Sequence, residues 1–239
     1  MRALSLSLLV AALALPAAAQ DLSEDRIKEL ALEAIRENPQ IVMEAVTILQ
    51  QRDAEAAEAK ARAALGGSRE LLERDPNAPV AGNPDGDVTV VEFFDYNCPY
   101  CRRAADQVTD TIRRDPGVRV VYREWPILGE GSVFAARAAL AARAQGKYEP
   151  MHEAMMSAEG QLDETAVLAI AQELGLDVER LRADMNAPEV QAHIDTSMVL
   201  AEQLGFTGTP SFVIGDMRAP GLIEADQMIE AVEAAREGN

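Results

Sequence analysis

Cys98 and Cys101, the only cysteines among 239 residues, are separated by two residues, and that spacing is the first feature able to carry chemistry. About one helical turn lies between them, so the second sulfur can attack a mixed disulfide formed at the first and release its partner. Two other readings remain open. A zinc site would need two more ligands, and the other candidates, His152 and His193, have no paired spacing. A purely structural bridge across so short a loop would remove little unfolded-state entropy. A redox-active pair is the leading reading.

The surrounding residues position the pair. Val88, Val90, Val91, Phe93 and Phe94 form a nearly continuous apolar run, the pattern of a strand covered on both faces. Asp95 to Pro99 punctuates it. Cys101 to Arg114 reads as a helix with Ala104, Ala105, Val108 and Ile112 on one side. Cys98 therefore falls at a helix N-terminus, where unpaired N–H groups and the helix dipole favour the thiolate and lower the pKa from about 8.5. The expectation is an exposed nucleophile at Cys98 and a resolving thiol at Cys101.

The run EFFDYNCPYC resembles the active site of the DsbA family of thioredoxin-fold thiol:disulfide oxidoreductases, with similarity from about Pro79 onward. Gly208-Thr209-Pro210 before Ser211 to Ile214 resembles that fold's cis-proline loop. The resemblance implies that Pro210 packs against the cysteines, and that Thr209, with Pro210, Pro99 and Tyr100, meets the client. It also implies a role for Glu92, which matches the buried acid that such enzymes carry below the pair. An acid in an apolar strand has a raised pKa and could exchange protons with Cys101.

The expected fold class follows: α/β, a thioredoxin fold with an inserted α-helical domain, preceded by an N-terminal α-helical arm. Residues 1–19 carry Arg2, an apolar run from Ala3 to Leu15, and Ala17-Ala18-Ala19, the pattern of a secretory signal peptide. The periplasm is the expected compartment. Residues 20–74 read as the arm. Its first helix starts at Ser23 and carries Ile27, Leu30, Ala31, Ala34 and Ile35 on one face, and Asn38-Pro39 ends it. A second helix is expected from Gln40 to Leu65 with a stripe of Ile41, Val42, Ala45, Ile48 and Leu49. Gly66-Gly67 and residues 75–86 read as a connection, with a short helix from Glu70 to Arg74 between them and an edge strand at Val80-Ala81. Two such narrow stripes need a partner surface, either the thioredoxin-fold domain of the same chain or further copies of the arm.

The segment ENPQIVMEAVTILQQRDAEA resembles the N-terminal segment of the suppressor-of-copper-sensitivity (ScsC) group. That resemblance implies a homo-oligomer, with a trimer favoured, and a membrane electron donor of the ScsB or DsbD type if the pair works as an isomerase. A DsbB-like reoxidant would serve an oxidase.

Residues 75–239 complete the DsbA-like domain. Val118 to Trp125 reads as a strand parallel to the first. Helical patterns over Phe134 to Gln145, Tyr148 to Ala158, Glu164 to Leu174, Val178 to Asp184 and Pro188 to Leu204 fill an insertion at about 131–204. A hairpin of Ser211 to Ile214 with a strand near Arg218 to Leu222, then a helix from Glu224 to Arg236, closes the chain. A net charge of −18 argues against nucleic acid and anionic membranes as partners. Met151, His152, Met155 and Met156 lie at helical spacing and could suit Cu(I), although such methionines are more often core filling. No cofactor or dedicated metal site is expected. The leading function is disulfide isomerisation or reduction on misfolded secreted proteins, against two alternatives: a monomeric dithiol oxidase, and a Cu(I) carrier using Cys98 and Cys101.

Overall fold

The structure, a computed structural model, describes residues 23–238; the expected leader and its cleavage site lie outside the described residues. The described residues divide into two units, one ending at Asp53 and one starting at Ala54. In the first, α1 (Glu24–Glu37) starts at Ser23, whose hydroxyl accepts the Arg26 N–H at 3.3 Å. No residue of α1 is buried. Ile27, Leu30, Ile35, Ile41, Val42, Ile48 and Leu49 are all exposed.

Helix α2 runs from Gln40 to Arg74, which corrects the expected stop at Leu65. Gly66 and Gly67 lie inside it, and the anticipated short helix is its last turn. Two interior glycines cost about 1 kcal/mol each. Burying Leu65 and Leu72, two turns apart on one face, returns about 1.5–3 kcal/mol each. Two arginines of the second unit then satisfy the terminal carbonyls. Arg123 donates to the carbonyls of Leu71 and Leu72, and Arg119 to that of Glu73.

The second unit is built on a five-stranded sheet: β1 (Val80–Gly82), β2 (Val88–Phe94), β3 (Val118–Glu124), β4 (Ser211–Ile214) and β5 (Met217–Pro220). The spatial order is β1-β3-β2-β4-β5, with β2 and β3 parallel and the other neighbours antiparallel. Strand β5 begins and ends earlier than the sequence pattern indicated, because the tight turn at Gly215-Asp216 pairs Ile214 directly with Met217.

Alternation along β2 sends Val90 and Phe94 into one core and Val91 and Phe93 into another. The larger core packs α3 (Pro99–Arg114), α9 (Ala225–Glu237) and the helical insertion. The insertion comprises α4 (Glu130–Ala142), α5 (Tyr148–Ser157), α6 (Glu164–Glu173), α7 (Val178–Asp184) and α8 (Pro188–Gln203). Leu65 and Leu72 of α2 pack in the smaller core with Phe93, Trp125, Leu200, Leu204 and Phe206. Among the described residues, no helix is long and apolar enough to cross a membrane.

Candidate active site

Strand β2 ends at Phe94, and three residues carry the chain to Cys98, the N-cap of α3, with Pro99 in the first turn. Proline suits that place because its missing N–H would have no helical partner there. Cys98 accepts the Cys101 and Arg102 N–H groups on its carbonyl at 3.0 and 3.2 Å. Both cysteines are unpaired thiols.

The expected exposed nucleophile is instead 5 % exposed. Its sulfur sits beneath the loop before β4, donating to the Thr209 carbonyl at 3.3 Å. The Thr209–Pro210 peptide is cis. Tyr100, by contrast, is 56 % exposed, with the Arg103 guanidinium 6.0 Å from its ring centroid.

The two thiols are driven apart in acidity. Cys98 is lowered to about 5, first by a hydrogen bond from the Cys101 thiol, then by the Thr209 side chain and the N–H groups of Cys101 and Tyr100, against the cost of burial. Cys101 is fully buried and accepts the Asp95 N–H at 3.5 Å. Burial, its bond to Cys98 and the charge of Glu92 push its pKa far above the free-thiol range. At neutral pH one sulfur is therefore a thiolate and its neighbour a thiol.

Glu92 faces the same core as the cysteines by strand alternation, paired across the sheet with Tyr122 and Phe212. It is buried, and neither carboxyl oxygen has a hydrogen-bond partner. Burial first, and the Cys98 charge second, raise it to about 8. The strand thus holds an acid that changes protonation near neutrality beneath the thiols.

Two residues that the sequence reading used only as strand punctuation prove to organise the site. The Asp95 carboxylate accepts the N–H groups of Asn97, Ile127 and Leu128 at 2.8, 2.8 and 3.0 Å. The Asn97 amide donates to the Leu162 carbonyl at 3.0 Å and accepts the Leu162 N–H at 2.7 Å, tying the loop to the insertion. The signal available was Asp-x-Asn at a strand end, an Asx-turn pattern.

The methionine and histidine cluster belongs to the interior. Met151, Met155 and Met156 are buried in the larger core, and His152 Nδ1 meets the Tyr96 hydroxyl at 3.1 Å. Burial lowers that imidazole to about 4. His193, on α8, faces the Glu124 carboxyl at 2.6 Å.

Residues 89–233 match the DSBA-like thioredoxin domain model, and residues 24–56 match the copper resistance protein ScsC N-terminal domain. The chain belongs to the DSBA-like thioredoxin domain family. Its fold class is that of the DSBA-like thioredoxin domains. A thioredoxin-like oxidoreductase from Silicibacter pomeroyi DSS-3 is 64 % identical, with 71 % of this chain and 98 % of that chain covered and a TM-score of 0.70. A linker-deletion mutant of Proteus mirabilis ScsC is 25 % identical over 94 % of this chain and all of that one, also at a TM-score of 0.70. The Na(+)/H(+) antiporter NhaA of Herminiimonas arsenicoxydans is 33 % identical over 161 residues, 66 % of this chain and 26 % of the antiporter. The chain spans about a quarter of the length of the curated relatives it matches.

Proposed function

We propose that the protein is a periplasmic thiol:disulfide interchange protein that isomerises or reduces wrong disulfides in secreted proteins. One observation carries the chemistry: an acidified Cys98 thiolate at the head of α3 beside a Cys101 that stays protonated. The Cys98 thiolate attacks a client cystine, the client S–S bond breaks, and one client sulfur leaves as a thiolate while the other joins Cys98 in a mixed disulfide. A second client thiolate then attacks that bond, forming the new client disulfide and restoring the Cys98 thiolate with no net electron transfer.

Where no client thiol arrives, Cys101 loses its proton and attacks Cys98. The products are the Cys98–Cys101 disulfide and a client carrying two more electrons. Glu92, near its own midpoint at neutral pH, is the group to accept and return the Cys101 proton. A membrane electron donor of the ScsB or DsbD type then supplies two electrons to reopen the pair. Pro99, Tyr100, Thr209 and Pro210 form the client-facing rim.

The match of residues 24–56 to the ScsC N-terminal domain, and the exposed apolar residues of α1 and early α2, support a homo-oligomer with a trimer favoured. Several thiolates held around one client raise their local concentration. The leader-like residues 1–19 support export. Reactivation of scrambled ribonuclease, read beside the redox state of Cys98 and Cys101 in cells, tests the function. Reactivation with a mostly reduced pair is the expected result; a mostly oxidised pair and no reactivation would make the protein an oxidase.

A further inference from the structure

Asp95 is the first residue past β2 and is almost wholly buried. Every polar group it has is engaged at the site. Its N–H donates to Cys101 Sγ at 3.5 Å, and its carbonyl accepts the Cys98 N–H at 3.0 Å. Its carboxylate accepts from Asn97 on one oxygen and from Ile127 and Leu128 on the other.

The topology shows why this matters. Strand β2 lies between β3, parallel to it, and β4, antiparallel to it. The end of β2 that leads to Cys98 is therefore flanked by the end of β3 and by the start of β4. The start of β4 carries Thr209-Pro210. The end of β3 carries Ile127 and Leu128, both apolar and exposed, and Leu128 shares a surface hollow with Pro99 and Arg102. The proline loop thus lies to one side of the end of β2 that leads to Cys98, and the segment whose backbone Asp95 holds lies to the other.

We propose that Asp95 is the positioning residue of the site, fixing the start of α3 and the Ile127–Leu128 wall as one rigid unit, with Leu128 receiving an apolar side chain beside the attacked client cystine. The inference rests on the interchange function proposed above. Unfolded clients supply such side chains, and this wall continues the rim that holds the cystine.

Charge and position make opposite demands. If Asp95 acted only as a negative charge, Asp95→Asn would favour the nearby thiolate and lower the Cys98 midpoint. If it positions, the thiolate loses its aligned N–H donors and the midpoint rises, by about one unit or tenfold in acidity. Asp95→Glu keeps the charge and displaces the carboxylate by one methylene, so it too should raise the midpoint.

The experiment titrates Cys98 in the full chain by the pH dependence of its reaction with a small aromatic disulfide, in the parent, Asp95→Asn, Asp95→Glu and Leu128→Ala. The same proteins are then assayed on scrambled ribonuclease. Upward shifts in both Asp95 variants support the positioning role; a midpoint that stays or falls in either folded variant overturns it. Leu128→Ala should keep the parent midpoint and raise KM for the protein client about threefold, and an unchanged KM removes the wall. A parent that exchanges with neither substrate would instead refute the interchange function itself.

Discussion

At the residue scale, one thiol accounts for most of the chemistry. A Cys98 midpoint of about 5 lies between the roughly 7 of thioredoxin and the roughly 3.5 of DsbA, which suits a protein that must both form and release mixed disulfides. Because the folded thiol is the more acidic one, its ionisation stabilises the reduced protein. That gain is complete above about pH 9 and is lost as pH falls through about 5. Denaturant titrations of the reduced and oxidised proteins should show the difference growing with pH across this window. Cys98→Ser should reduce exchange to background, and Cys101→Ser should accumulate client adducts on non-reducing gels. Glu92 has the opposite sign: its raised pKa means that stability falls as pH rises from 4.5 through about 8. Glu92→Gln should flatten that slope, measured as melting temperature against pH, and slow client release by about tenfold or more. The cysteine pair was legible from residue type and spacing, and the burial of Glu92 from its match to the buried acid of the family that the motif resembles. Asp95 was not, since its role lies in contacts with Asn97, Ile127 and Leu128, and the last two are brought near only when β3 lies against β2.

At the element scale, alternation and period 3.6 located nearly every strand and helix, including the inserted helices and the edge strand at Val80. The exception is instructive. Gly66-Gly67 reads as a break because propensity is local, whereas the burial of Leu65 and Leu72 and the arginine caps from β3 are tertiary. A Cβ built on either glycine would meet nothing within 4 Å. Gly66→Ala and Gly67→Ala should therefore each stabilise the folded chain by about 0.5–1 kcal/mol, read as raised denaturant midpoints without a change in slope. A loss of stability would mean that these positions need a non-helical backbone. The buried state of Cys98 was likewise invisible in the helix pattern, because the cover is Thr209, 111 residues further on.

At the scale of the whole molecule, the division after Asp53 separates a part with its own cores from a part without buried residues in α1. Removing residues 23–53 should preserve exchange with a small disulfide, lower isomerase turnover several-fold and reduce the mass in solution to that of a single chain. Exchange with a small aromatic disulfide, the ribonuclease assay and light scattering read the three in turn, and equal isomerase turnover in the shortened protein would detach the arm from the activity. The stretch 23–53 hides none of its own apolar side chains, and with further copies of the chain covering them, as proposed above, its folding is second order in protein or higher. Dilution then acts as a reagent: far-ultraviolet helical signal per chain should decline as samples are thinned, while the sulfur chemistry measured on small disulfides stays the same.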